Sequence, residues 1–378
     1  MDKVISFLQR MSALASDEDA LDFTFGNPHE MALPGLVDAM RGRLEPRSVD
    51  WYAYKTNEPA AREAIASGLR DELGLDIEPD DIAMTQGAFG AISLALALIA
   101  DVGDEVVIPT PGWFCYTPML YATNLTPVEA PLDPDTFDLD IAAVARAITP
   151  RTRVVIVNSP SNPTGRVFPK QTCDELAELL EEMSRRHGRR IWILSDEPYR
   201  RIRFDGIGFD SPAASYPWTM IDYSYGKVLL APGQRIGYLA LSPLLPRADR
   251  EELRGAFMTT QLAIGWGFPN ALMQYSAPAL ESVSIDMDEL TRKRDRMVAA
   301  MEDAGFALTR PEGTFYLWGR APGGDGAAFC DALSARGVHL MPGTMFDQPA
   351  HFRVALTATM ETIDRALPTI SEVGASFS

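Results

Sequence analysis

The sequence predicts an α/β protein with a largely parallel sheet, joined to a smaller α+β domain. Three observations carry that prediction. Short Val- and Ile-rich runs at 104–110, 153–160, 190–198 and 235–243 end in turn residues and have the continuous apolar character of buried strands. Between several of them lie stretches with helical spacing, at 88–100, 140–148 and 170–187, the last ending in Arg185, Arg186 and His187, where cations complement a helix dipole. After about residue 243 the alternation gives way to long amphipathic segments at 247–263 and 266–304, short strands around 315–319, 338–343 and 352–358, and a final helix. Alternating strand and helix imposes parallel pairing with right-handed crossovers, and such sheets hold their active sites at the carboxyl ends of the strands. The first forty or so residues have no partner in the alternation and are expected against the smaller domain.

Composition narrows the function. The 378 residues carry 34 Lys+Arg against 52 Asp+Glu, a net charge of −18, which opposes binding to phosphate backbones. With 46% hydrophobic and 23% charged residues the chain is an ordinary globular one. No run of 18 apolar residues occurs, so no membrane span is expected, and residues 1–23 are too acidic and too short in apolar core for a secretory signal. A cytoplasmic location follows as an expectation. Cys115, Cys173 and Cys330 lack paired CxxC spacing, and His29, His187, His339 and His351 form no HxxxH pair, so no metal site is expected.

The chemistry lies at two predicted strand ends and in the segment that follows them. NSPSNPTG (158–165) follows one predicted strand and SDEPY (195–199) the next, which puts Asn162, Asp196 and Tyr199 around one crevice. SYGK (224–227) comes next, with Arg235 eight residues beyond Lys227. Singly, a loop lysine is usually a solvated surface residue and an Asp before Glu-Pro a turn former. In this order they match the needs of pyridoxal 5′-phosphate: a lysine amine for its aldehyde, a carboxylate for its pyridine nitrogen, and a cation with hydroxyl and amide donors for its phosphate. Lys227, Asp196 and Arg235 fill those roles, Ser224 is placed for the phosphate, and Asn162 and Tyr199 can donate to the phenolic oxygen. Upstream, TQGAFGAISLAL opens a helix whose amides at Gly87, Ala88 and Phe89 face an anion. A dinucleotide reading of that segment lacks the three-glycine GxGxxG spacing. Trp113, in PTPGWFCY, sits where an indole can stack on a planar cofactor, although most tryptophans are core residues.

The ordered set NSPSNPTG, SDEPY, SYGK with Arg235, QGAFGAISLAL, PGWFCY, PEGTFYLW (311–318), MPGTMF (341–346) and FRVALTAT (352–359) resembles the class I/II aminotransferases, fold-type I pyridoxal-phosphate enzymes of the aspartate aminotransferase kind. The resemblance implies a three-layer α/β/α large domain at 46–283, a small domain at 284–378, and an N-terminal arm at 1–45 that completes the small domain, which is thus formed by both chain ends. It implies Lys227 as the Schiff-base lysine, Asp196 as the pyridinium partner, Asn162 and Tyr199 as phenolate donors, and Trp113 as the stacking aromatic. Arg235, Ser224 and the amides of Gly87 and Ala88 would form the phosphate cup, with Phe89 beside them. Arg353 would bind the substrate carboxylate by its planar fork, near Gly26, Asn162 and Trp113. Tyr52 matches a tyrosine that reaches the neighbouring subunit's phosphate, which implies a homodimer with shared sites.

Some positions depart from that pattern: Ala88 where Ser or Thr is common, Gly226 before the lysine, Asn57, and the glycine-free link 346–351. Phe25, His29, Met31, Tyr54 and Phe315 are candidates to line the side-chain pocket. The implied reaction moves an amino group between an L-amino acid and a 2-oxo acid. The alternative is a C–S β-lyase or a specialised biosynthetic enzyme that runs oxidation or cyclisation on the same machinery.

Overall fold

The computed structural model describes residues 19–377, so the reading of the first 18 residues lies outside it. The described chain opens with β1 (Leu21–Asp22), which joins no large sheet. Seven strands then build one: β2 (Ile82–Thr85), β3 (Glu105–Thr110), β4 (Thr126–Pro131), β5 (Thr152–Asn158), β6 (Trp192–Asp196), β7 (Thr219–Ser224) and β8 (Gly237–Leu241), in the order β2-β8-β7-β6-β5-β3-β4. From β4 to β7 all pairings are parallel, and β8 runs antiparallel to both of its neighbours. The 235–243 run forms a buried strand, as its apolar character predicts, but it stands outside the parallel set. A strand covered on both faces is apolar throughout whichever way it points.

Side-chain alternation splits this sheet's apolar residues between two faces. Ala83, Leu194, Met220 and Leu239 pack beneath the helix Gly87–Ile99 and the helix Arg247–Ala263. On the other face Met84, Ile221 and Tyr223 meet the helices Pro59–Leu73 and Ala271–Leu280, while Val155 and Ile193 meet Lys170–His187. The result is three layers, α/β/α.

The second sheet holds β9 (Ala307–Thr309), β10 (Tyr316–Arg320), β12 (Met341–Pro342) and β13 (His351–Ala355), antiparallel in the order β12-β13-β10-β9. Beside it β11 (Val338–His339) pairs in parallel with β1, and Phe23 is fully buried in the core that this sheet shares with the helices Met287–Asp303, Gly326–Ser334 and Met360–Ser376. Both ends of the described chain thus meet here. The first forty residues do not all follow: the helix Pro34–Arg41 buries Leu36 in the large domain's core, against Ala271–Leu280. The amphipathic stretch 266–304 is two helices, because Asp286 caps the second by accepting from the amides of Asp288 and Glu289 at 2.9 and 3.0 Å.

Candidate active site

Asn158, Asp196 and Ser224 are the last residues of β5, β6 and β7, and Lys227 follows at once in the single turn Tyr225–Val228. With Ala88, Phe89, Trp113, Asn162, Tyr199 and Arg235 they line one cavity of about 150 Å³ at the carboxyl edge of the sheet. Asp196 is buried. Its Oδ2 accepts from the Tyr116 hydroxyl and from Asn158 Nδ2 at 3.4 Å, while its Oδ1 has no partner among the described residues. Burial raises the Asp196 carboxyl above its ordinary range, opposed by Tyr116, Asp222 and Lys227. The Lys227 ammonium lies 5.6 Å from the Tyr199 ring centre and 5.9 Å from that of Phe315.

An anion cradle occupies one end of the cavity. Gly87 opens its helix at φ +73°, and a Cβ there would stand 2.9 Å from Arg235 Nη2 and 3.2 Å from Ser224 Oγ. Only glycine leaves that space free, between a helix N-terminus, a hydroxyl and a guanidinium. Arg235 donates to the carbonyls of Pro232 (2.8 Å) and Gln86 (3.1 Å) and forms no ion pair among the described residues. Trp113 stands edge-on to Phe89 and Tyr116, with ring centres at 4.9 and 5.3 Å.

Across the crevice stands Arg353, on β13 and 2% exposed. Its Nη1 donates to Asn162 Oδ1 at 2.8 Å and its Nη2 to Thr24 O at 2.7 Å, whereas Nε has no partner among the described residues. Because Arg353 takes the Asn162 oxygen, the amide nitrogen of Asn162 is left to donate elsewhere. The guanidinium lies 3.8 Å from the Tyr316 ring centre. Burial alone would raise the Tyr316 hydroxyl, but Lys227, Arg353 and Tyr199 outweigh it and hold the group below the usual phenol range. Burial also lowers Arg353, which is offset in part by Tyr316 and Tyr199. A second cavity, of about 340 Å³, connects Arg353 with Lys227, Phe25, Gly26, Phe114 and Tyr316. A Cβ on Gly26 would collide with the Phe315 ring at 2.3 Å.

Several expected residues stand elsewhere. Tyr52 is 58% exposed, donates to Leu44 O, and lines a surface cavity with Tyr54 and Phe268. Met31 is 94% exposed, and neither it nor His29 lines the two site cavities. Phe315 is core behind Lys227. Asn57 accepts from the Met84 amide at 2.6 Å, which ties its loop to β2. A Cβ on Gly226 would sit 3.0 Å from Pro232 Cα, so the turn after Lys227 is close-packed there. The residues that sequence reasoning passed over are Asn158, Tyr116 and Tyr316, all inside quoted motifs, together with Thr24 and Asp222, which no motif marks.

A lysine near a buried carboxylate, with arginines at both ends of one crevice on the carboxyl edge of an α/β sheet, makes a site suited to small anionic molecules. Residues 18–370 match the family model described as aminotransferase class I and II, and the chain belongs to that family. It is an aminotransferase. The chain is 30% identical to the aspartate/prephenate aminotransferase of Cereibacter sphaeroides over 388 aligned positions, 96% of this chain and 93% of that one. An aminotransferase structure from Eubacterium rectale superposes with a TM-score of 0.91 at 29% identity, covering 100% of this chain and 95% of that one. The Thermus thermophilus aspartate aminotransferase with maleate gives 0.85 at 27% identity, covering 98% and 96%.

Proposed function

We propose that this aminotransferase works with pyridoxal 5′-phosphate held over Lys227, and exchanges an amino group between an L-amino acid and a 2-oxo acid. The observation that carries the reading is the single cavity in which Lys227, the unpartnered Asp196 Oδ1 and the Gly87–Ser224–Arg235 cradle meet. The donor set fits the cofactor group by group: Asp196 for the pyridine nitrogen, the cradle for the phosphate, Lys227 for the aldehyde, the Asn162 amide and Tyr199 hydroxyl for the phenolic oxygen, and Trp113 for the ring face. When bound, the cofactor supplies an electron sink that acidifies the substrate Cα–H.

The chain's own part is to hold and to move a proton. Arg353, with Nε free and its guanidinium fixed by Asn162 and Thr24, receives the substrate carboxylate through its fork and so orients Cα. The Lys227 amine, half-buried and adjacent, takes and returns a proton at the substrate Cα. Among the described residues that line the Arg353 cavity, the cations are Lys227 and Arg353 themselves, and Phe25, Trp113, Phe114 and Tyr316 supply aromatic walls. That surface suits an uncharged, apolar or aromatic side chain better than a second carboxylate.

The reading includes a cytoplasmic homodimer. Three free cysteines suit a reducing compartment, and the exposed Tyr52 and Tyr54 lie outside their own chain's site. A donor panel read by the change in cofactor absorbance tests the whole reading. Phenylalanine, leucine and methionine are expected to outpace aspartate, with a new amino acid formed from the added 2-oxo acid. Aspartate as the best donor overturns the side-chain reading, and pyruvate with ammonia from a cysteine conjugate would move the chain to β-elimination.

A further inference from the structure

We propose that Asp222 is a positioning residue for Asp196: a neutral carboxylic acid that donates its proton to the Asp196 carboxylate, so that the buried pair carries one negative charge in place of two. The two residues face each other in the parallel register of β6 and β7, at 3% and 0% exposure. Both lie on the face of the sheet beneath the helix Gly87–Ile99, since Leu194 and Met220, two positions earlier on each strand, belong to that apolar cluster. On its other side Asp222 is registered with Leu239, from the same cluster. Neither carboxyl oxygen of Asp222 has an N–H or hydroxyl donor among the described residues, and the hydrogen-bonding group that meets it is Asp196.

Two ionised carboxylates cannot share such a site, so one proton must stay between them. Its position follows from the donors. Asp196 already accepts from Tyr116 and Asn158, and Lys227 is near it; Asp222 has no such support, so Asp222 keeps the proton and donates. The remaining charged neighbour, Glu197, is engaged away from the pair by Ser195 at 2.8 Å, by Ser211 at 2.5 Å and by Arg200 at 3.6 Å. Burial, with Asp196 and then Glu197 adding to it, holds the Asp222 carboxyl well above the usual carboxylate range. The effect on Asp196 is twofold: a further donor fixes its orientation, and the pair's single charge equals that of one pyridinium. This second effect rests on the cofactor reading above, whereas the shared proton does not.

Apoprotein and holoenzyme separate the two parts. In the unfolded chain Asp222 loses its proton above about pH 4, while in the fold it keeps it, so the fold binds one extra proton and its stability falls as pH rises. The folding constant of wild-type apoprotein is expected to fall about tenfold per pH unit relative to that of Asp222→Asn between pH 5 and pH 8. Parallel pH profiles for the two apoproteins would overturn the shared proton, whatever the cofactor. In the holoenzyme, Asp222→Asn keeps a donor of the same shape and should hold pyridoxal phosphate within about twofold of wild type, while Asp222→Leu, which offers none, should lose about tenfold in cofactor affinity. Equal affinity in the Asn and Leu variants would overturn the positioning role. If the Leu variant does not fold, loss of cofactor affinity or a wild-type pH profile in Asp222→Asn is sufficient to do so.

Discussion

The two walls of the crevice are built in different ways. On the large-sheet wall Asn158, Asp196, Ser224 and Lys227 end a parallel strand or follow it within a few residues, and so inherit their positions from the register of β5, β6 and β7. On the small-domain wall Arg353 sits within β13, and its fork is held by Thr24, 329 positions away, and by Asn162, 191 positions away. One wall is set by neighbouring strands and the other by the meeting of the chain's ends. On the proposed reading, the difference means that the chemistry and the recognition of substrate can be damaged separately.

The largest effect should come from the sheet wall. Lys227→Ala is expected to lower kcat by about a thousandfold to ten-thousandfold and to abolish the visible absorbance of the bound cofactor, while the apoprotein keeps its fold. A variant that turns over at the wild-type rate would remove Lys227 from the reaction. Arg353→Ala, on the other wall, should raise KM on the order of a hundredfold with a much smaller change in kcat, because a charged bidentate contact is lost from a buried site. Arg353→Lys should recover only part of that loss, since an ammonium cannot form the planar fork. If Arg353→Ala lowered kcat as far as the lysine variant does, the separation of the two walls would fail. A smaller effect is expected for Gly26→Ala, whose methyl meets Phe315 at 2.3 Å and Tyr316 Oη at 2.9 Å. KM should rise several-fold with cofactor affinity untouched, and a changed cofactor affinity would show that the walls are coupled.

The same contrast explains what was legible in the sequence. Asp196, Asn162 and Tyr199 lie in short motifs at the ends of apolar strands, which are themselves a local signal, and Ser224, Lys227 and Arg235 follow in a fixed local spacing. Arg353 could be carried over only with its flanking motif, because nothing near it in sequence reveals Thr24 as its partner. The strand β4 escaped notice because it is an edge, largely exposed and bounded by Pro131, so its apolar pattern is weak. The helix Pro34–Arg41 escaped because its single buried apolar side chain, Leu36, does not say which core will receive it. No motif marks Asp222; its meaning lies in the β6–β7 register, which puts it against Asp196 and which no single segment encodes. Of the two departures from the family pattern at Asn57 and 346–351, the first serves its own loop and only the second meets a cavity beside Trp113.

Tyr52 belongs to neither wall of its own chain, and the smallest effect expected is the one that shows whether a second chain completes the site. Its ring is exposed beside Tyr54, Phe268 and Leu272, and among the described residues its hydroxyl reaches only Leu44 O. In a homodimer with shared sites, Tyr52 of the partner subunit would donate to a phosphate held in the cradle of Gly87, Ser224 and Arg235. Tyr52→Phe should then weaken cofactor binding about fivefold, the value of one hydrogen bond of roughly 1 kcal/mol, without altering the donor preference. Mixed dimers decide where the hydroxyl acts. When a Lys227→Ala subunit is paired with a Tyr52→Phe subunit, the one site that retains Lys227 faces an intact Tyr52 across the interface. That site should bind the cofactor with wild-type affinity. If its affinity stays as weak as in the Tyr52→Phe homodimer, the hydroxyl works within its own chain, and the sheet wall is complete without a partner.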